Sequence, residues 1–305
     1  MKVGVNLLNF GPGVTPHSLE RWANLSEALG YHLLMVSDHI AMTPDVEERY
    51  PAPFYDPFVT LSWLAGITTS LELGTTVVIV PYRHPVLLAR MCSNIDQISG
   101  GKFILGVGVG WAKQEFETLG LPFNKRGAMT DDYLEALKRL WTGGRESYHG
   151  QFVDFDNVNS APKPLRIPHP PIWVGGTSDR SLRRAVRFGD GWHPTRVRVD
   201  ELQMDLLPRL TRIAEEEGAS VPDFCPRMRL LLTDSPMPED SRRAGEGTLD
   251  QVRRDLDGLH NLGAKYLVLD TYFDVPESTR NHEQSWRWLS IMAESVFDLT
   301  GQTLR

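Results

Sequence analysis

The sequence predicts an α/β fold, a (β/α)8 TIM barrel with insertions, from three observations. Short β-branched runs alternate with longer segments of helical period, which is the pattern of a parallel sheet joined by helical crossovers. There are eight such runs in the 305 residues, and eight strand–helix units in one chain close most naturally into a barrel. Glycine and polar residues gather where the runs stop, so one end of the barrel collects the chemistry. An open doubly wound sheet is the alternative.

The first run, Val3 to Leu8, leads to Asn9. A helix follows with Thr15 as N-cap and Pro16 at the first helical position; Leu19, Trp22, Ala23 and Leu29 share one side, and Gly30 ends it. The second run, Leu33 to Ser37, stops at Asp38-His39, and the third, Leu73 to Val80, at Pro81-Tyr82-Arg83-His84. The fourth, Phe103 to Val107, enters "GVGVGW"; the fifth, Ile172 to Gly175, enters "GGTSDR"; the sixth, Gly191 to Pro194, contains Trp192-His193. Met228 to Leu232 is the seventh. A helix capped by Thr248, with Val252, Leu256 and Leu259 on one stripe, stops at Gly263 before the eighth run, Tyr266 to Leu269, which leads to Asp270-Thr271-Tyr272.

One domain over residues 1–305 is expected, with three excursions beyond ordinary loop length: Ala41 to Pro57, Gly143 to Pro171, and Thr233 to Gly247. The segment "ESYHGQFVDFDNV" in the second alternates and turns at Gly150, which predicts a β-hairpin. All three are placed to fold over a mouth of the barrel.

Composition excludes several classes. The formal net charge is -7 with Lys and Arg scattered, so neither nucleic acid nor an anionic membrane finds a basic face. Cys92 and Cys225 stand far apart without CxxC or Cys/His spacing, which argues against a disulfide framework and structural zinc and fits a reducing cytoplasm. No signal peptide and no run of about 18 apolar residues is read.

Chemistry is sought at the strand ends. Gly175 and Gly176 free the backbone for close approach, Thr177 and Ser178 offer hydroxyls, and the next helix turns its positive end toward them, so an anion suits this turn; a plain cap by Ser178 or Asp179 explains the residues equally well. "GVGVGW" has GxGxG spacing, not the GxGxxG of a dinucleotide site, and reads as a crowded rim where backbone passes close to something. His39, after a strand and an aspartate, is the candidate for proton transfer or cofactor contact. His193 ends a strand and is a weaker candidate, while His84, before Pro85, reads as a helix cap. No histidine pair has metal-ligand spacing, so no metal is expected. The run Arg180, Arg183, Arg184, Arg187 reads as a solvated face with a secondary chance of steering an anion. Trp111 and Trp192 stand where they would wall a pocket.

Taken together, "VSDH", "VVIVPYRHPVLLAR", "SGGKFILGVGVGWAKQEFETLG" and "PPIWVGGTSDRSLRRAVRFGDGW" resemble the bacterial luciferase-like monooxygenase superfamily, and the "PYRHP" and "LGVGVGW" segments are similar to its branch of oxidoreductases dependent on the deazaflavin coenzyme F420. Members use that deazaflavin or FMN. The resemblance implies that Asp38 contacts the ring region and that His39 is a base or charge partner in hydride transfer. It also implies a non-prolyl cis peptide near Val78 and Ile79 that supports the ring. Val107 and Gly108 then line the cofactor cleft, and Gly175, Gly176 and Thr177 receive the phosphate. Sugar-phosphate dehydrogenases of the superfamily carry an acidic glutamate where Val109 aligns, so here Glu115 or a water must serve, or no such donor is needed.

The expected function is hydride transfer between coenzyme F420 and a small organic substrate. The alternatives are an FMN-dependent monooxygenase using O2, a cofactor-binding protein without turnover, and a phosphate-recognising barrel enzyme without a redox cofactor. Homodimers are common in the family, and Leu87, Leu88 and Met91 suit either an interface or a core.

Overall fold

The computed structural model describes residues Met1 to Arg305. Eight parallel strands form the barrel: β1 Lys2–Leu7, β2 Leu33–Val36, β3 in two pieces, Glu72–Thr75 and Val78–Ile79, β4 Phe103–Gly108, β5 Ile172–Gly175, β6 Gly191–His193, β7 in two pieces, Asp223–Phe224 and Arg227–Arg229, and β8 Tyr266–Asp270. Around them stand α1 Pro16–Ala28, α2 Pro57–Ile67, α3 Pro85–Ile98, α4 Arg126–Thr142, α5 Asp179–Phe188, α6 Leu207–Glu217, α7 Leu249–Asn261 and α8 Glu283–Ser295. Strands pair with their neighbours in chain order, and β8 returns to β1 with Val5 opposite Leu269.

Closure rests on β7. Its first piece pairs with β6, Phe224 opposite Trp192, and its second with β8, Arg229 opposite Asp270. The sequence expectation of Met228 to Leu232 is corrected: the strand starts earlier, and Leu231–Leu232 instead pair with Glu246–Gly247. Pro226 obscured the start, because proline has no N–H to donate. Its carbonyl still accepts from Val268 N, while Cys225 N and Arg227 N bond back to β6 and its exit.

Helix starts follow one device. Thr15, Asp56 and His84 each cap a helix whose first residue is proline, and the side chain of each accepts a backbone N–H. His84 is therefore a cap, as its position predicts. Thr248 and Gln251 form a capping box on α7.

Alternation along the strands divides the apolar residues in two. Outward positions join the helices in a core of 67 buried residues. Inward positions fill the barrel with Leu33, Met35, Ile104, Trp173, Cys225 and Val268. Both cysteines are buried and free. Leu88 is in the outer core, whereas Leu87 on α3 is exposed, as are Val59 and Trp63 on the neighbouring α2.

The excursions part company. Residues 41–57 arch over the C-terminal mouth, where Tyr50 joins the cavity wall. Residues 143–171 form the expected hairpin, Arg145–His149 with Asp154–Asn159. Their tail then straps the opposite, N-terminal end, with Leu165 N and Arg166 N both donating to Asp96. No helix is long and apolar enough to cross a membrane.

Candidate active site

A cavity of about 320 Å³ opens at the C-terminal mouth, within the range of small-molecule sites. Its floor is a hydrogen-bonded chain above the apolar barrel filling. Asn6 donates to Asp270, whose other oxygen takes Arg227 Nε at 3.0 Å and Nη2 at 2.7 Å. Arg227 Nη1 also donates to the Thr76 carbonyl, and Thr76 Oγ1 lies 2.8 Å from His193 Nε2. Burial, reinforced by the nearby Arg227 charge, pushes the His193 pKa down to about 4. The ring is thus neutral at pH 7, with Nδ1 donating to the Cys225 carbonyl and Nε2 accepting from Thr76. Its lining position matches expectation, but both nitrogens are committed to structure.

The strand-three bulge forms one wall. The non-prolyl cis peptide joins Thr76 and Val77, two residues before the position the resemblance implied. It stands between the two pieces of β3, where four residues on β3 span three on β4: Gly74 pairs with Ile104 and Val78 with Val107. The extra residue must go somewhere, and glycines make the room. A Cβ on Gly106 would lie 1.9 Å from the Thr75 carbonyl oxygen, and one on Gly108 would lie 2.7 Å from Val77 Cγ2. The crowding that "GVGVGW" predicts is therefore the protein's own bulge.

Parity then sorts the predicted cofactor residues. Ile79 and Gly108, paired with each other, face the cavity. Val78 and Val107, the preceding pair, point into the outer core and are fully buried. Their side chains are withdrawn from the cleft, because neighbouring residues on a strand face opposite ways. Gly175 and Gly176 line the cavity, but Thr177 stands just outside its walls. Gly176 needs its left-handed φ of 105° there, and its carbonyl accepts from Trp192 Nε1 at 2.8 Å. Trp192 is thus a brace behind the wall, while Trp111 lines the cavity itself. Ser178 caps α5, and three of the four arginines of the basic run make ion pairs: Arg183 with Glu216 and Glu217, Arg184 with Asp131, Arg187 with Glu217.

Asp38 and His39 both line the cavity, in different roles. Asp38 accepts from Arg83 through both oxygens, at 2.7 and 2.9 Å, and from Ile79 N at 2.9 Å. It fixes the bulge. His39 Nδ1 lies 2.7 Å from Glu115 Oε2. Glu115 is fully buried and also accepts from Tyr82 Oη at 2.8 Å and from the amides of Ile40 and Ala41 at 2.6 and 3.0 Å. Burial alone would raise its pKa, but the His39 hydrogen bond, helped by the Ile40 amide and the Tyr82 hydroxyl, holds it below the usual carboxylate range. An ionised carboxylate only accepts, so the hydrogen sits on His39 Nδ1. Nε2 has no protein partner, and the ring is packed among Tyr50, Phe54 and Trp111 on the cavity side. Sequence reasoning named Glu115 only as a stand-in for the acid missing at Val109. Its distance from His39 in sequence hid the pairing, as it hid the Arg83 grip on Asp38.

A barrel with its cavity at the C-terminal mouth, a bulged third strand and an Asp-His after the second agrees with the comparison to known families. The model of the luciferase-like monooxygenase family matches residues 1–244. The chain belongs to this family. An uncharacterised protein of Mycobacterium tuberculosis is 32% identical to it over 270 residues, covering 83% of this chain and 90% of that protein. The FMNH2-dependent dimethylsulfone monooxygenase of Pseudomonas putida is 36% identical over 141 residues, 45% of this chain and 38% of that one. Among solved structures, an F420-dependent secondary alcohol dehydrogenase bound to an F420–acetone adduct superposes with a TM-score of 0.74 at 15% identity, covering 96% of this chain and 97% of the other. At that identity it is the fold that is shared. Sequence relatives of this luciferase-like chain thus include a flavin enzyme, and its structural neighbours include a deazaflavin enzyme.

Proposed function

We propose that this protein transfers a hydride between coenzyme F420 and a small organic substrate, with His39 moving the accompanying proton. One observation carries the reading: His39 is held at Nδ1 by a buried, ionised Glu115 while Nε2 opens on the cavity. When a hydride leaves a carbon bearing a hydroxyl, the hydroxyl proton must leave too. His39 accepts it at Nε2, and Glu115 stabilises the imidazolium that results. In the reverse direction the imidazolium returns it.

The cavity suits a planar redox ring. Bare backbone at Gly108 and Gly175 leaves its walls flat, and the volume is that of a ligand site. Ile79 and Gly108 would hold the ring. Gly175, Gly176 and Thr177 would hold a phosphate, beside the α5 amides that no turn of helix satisfies. A bound deazaflavin supplies a hydride carrier with little oxygen chemistry, because carbon replaces N5.

Fluorescence titration with F420 and with FMN tests the binding. Tight binding of F420 supports the proposal, and silence from both cofactors removes it. With F420 bound, His39→Ala is expected to keep the affinity and lose turnover by about 10²–10⁴-fold. A second reading, an FMN-dependent monooxygenase using O2, is favoured by the dimethylsulfone monooxygenase relative, and binding of FMN alone would select it.

The assembly we propose is a homodimer through the α2–α3 face, where Val59 and Leu87 are 70% and 54% exposed. Light scattering should give twice the chain mass, falling to one for Val59→Glu/Leu87→Glu. A monomeric wild type excludes it.

A further inference from the structure

Across the barrel from His39, two arginines that share one carboxylate line a small recess that adjoins the cavity at Arg227. Arg196 follows Thr195, a lining residue, and Arg229 lies two residues beyond Arg227, also lining, on the same face of β7. One such step is about 7 Å toward the mouth. Asp274 joins them: Arg196 Nη2 lies 2.6 Å from Oδ1, and Arg229 Nη2 bonds to Oδ2.

Three features separate this triad from an ordinary surface bridge. The charge does not close, since two guanidiniums meet one carboxylate. Donors are left over: Arg229 is only 12% exposed in its side chain, yet Nη2 is its one bonded donor, and Arg196 likewise bonds only through Nη2. Arg227 below is the contrast, with Nε and both Nη atoms engaged. Third, Arg196 and Asp274 both hold left-handed backbones, φ 60° and 59°. Non-glycine residues pay for that conformation, and such strain gathers at ligand clamps.

We infer that Arg196 and Arg229 bind an oxyanion, the carboxylate of the organic substrate, whose body lies against Tyr50 and Trp111 near His39. A planar carboxylate matches the free guanidinium edges, and partial desolvation strengthens each charge-assisted bond. This names the substrate class of the proposed oxidoreductase and rests on that reading, but the anion site can be tested without turnover. Asp274 acts as a built-in competitor that keeps the arginines parallel when no substrate is present.

The test is calorimetric titration of the full chain with benzoate, benzamide and inorganic phosphate, with F420 or FMN titrated in parallel. Benzoate is expected to bind at about 1 mM and benzamide at least about tenfold more weakly. Arg229→Gln and Arg196→Asn, the latter because asparagine tolerates the left-handed backbone, should each weaken benzoate about tenfold. Asp274→Asn should tighten it, a reversal of sign that a merely structural triad would not give. Cofactor affinity should stay within about twofold in all three variants. No benzoate binding by the wild type, or equal binding of benzamide, overturns the inference. Phosphate binding with loss of cofactor affinity in the arginine variants also overturns it, by assigning the site to the cofactor. Failure of both cofactors to bind, with benzoate behaving as expected, would remove the redox reading and leave the anion site standing.

Discussion

The guanidinium of Arg83 grips Asp38 at both oxygens, 2.7 and 2.9 Å away, and reaches Asp56 at 2.8 Å with the same Nη2. Asp56 is the N-cap of α2, so one arginine ties the second strand's exit to the start of α2 and, through the Asp38 bond to Ile79 N, to the upper piece of β3. Removing one partner strands the other in a buried place. Asp38→Ala is expected to cost about 3–5 kcal/mol, read from urea unfolding. Arg83→Lys should recover little, because an ammonium cannot make the paired contact. A loss below about 1 kcal/mol, the value of an exposed pair, would contradict the role.

Gly108 and Val77 should form a coupled pair. Gly108→Ala is expected to lose about 1–3 kcal/mol, and Val77→Ala in the same chain should restore most of it, because the added methyl meets a side chain. Gly106→Ala meets the Thr75 carbonyl instead, and Val77→Ala should not rescue it. A double-mutant cycle on unfolding free energies reads both. Additivity at Gly108 would mean that the bulge is not packed as described.

These two sites show where sequence reasoning reaches and where it stops. Period, caps and strand ends are local signals, so the barrel, the Thr15, His84 and Thr248 caps, the hairpin at Gly150 and the Asp38-His39 exit were legible. Pairings between distant strands leave no such mark. Nothing near Arg83 announces Asp38, nothing near Glu115 announces His39, and Val78 reads like Ile79 until the bulge fixes which one faces inward. The start of β7 was hidden by Pro226, which silences one donor of the ladder.

His193 should make stability depend on pH. The unfolded side chain protonates near 6.5 and the folded one near 4. Between these values the unfolded chain binds more protons, so stability is complete above about 6.5 and falls as pH drops toward 4. The loss from this one group is at most about 3 kcal/mol. His193→Asn should flatten that slope. Unfolding curves above and below the window check it, and an unchanged slope would assign the effect elsewhere.

Asp96 should hold the strap beneath the barrel. It is fully buried, and its oxygens accept from Phe103 N at 3.3 Å, Leu165 N at 2.7 Å and Arg166 N at 3.0 Å. Asp96→Ala leaves three amides short of a partner, about 1–3 kcal/mol for each one that water cannot reach. Limited proteolysis should then cut near Ile167, which is 93% exposed, faster than in the wild type. Equal cleavage rates would show that the strap is held by other contacts.

The ladder between β1 and β8 also sets a clock. Asn6 and Asp270, bonded in the cavity floor, stand 264 positions apart. At roughly 5–20 residues per second of synthesis, the first strand waits on the order of half a minute on the ribosome with one edge bare. A bare edge can pair with a neighbouring nascent chain, so crowding on a polysome threatens this protein most before its eighth strand emerges. The floor beneath the proposed chemistry is the last part of the barrel to be built.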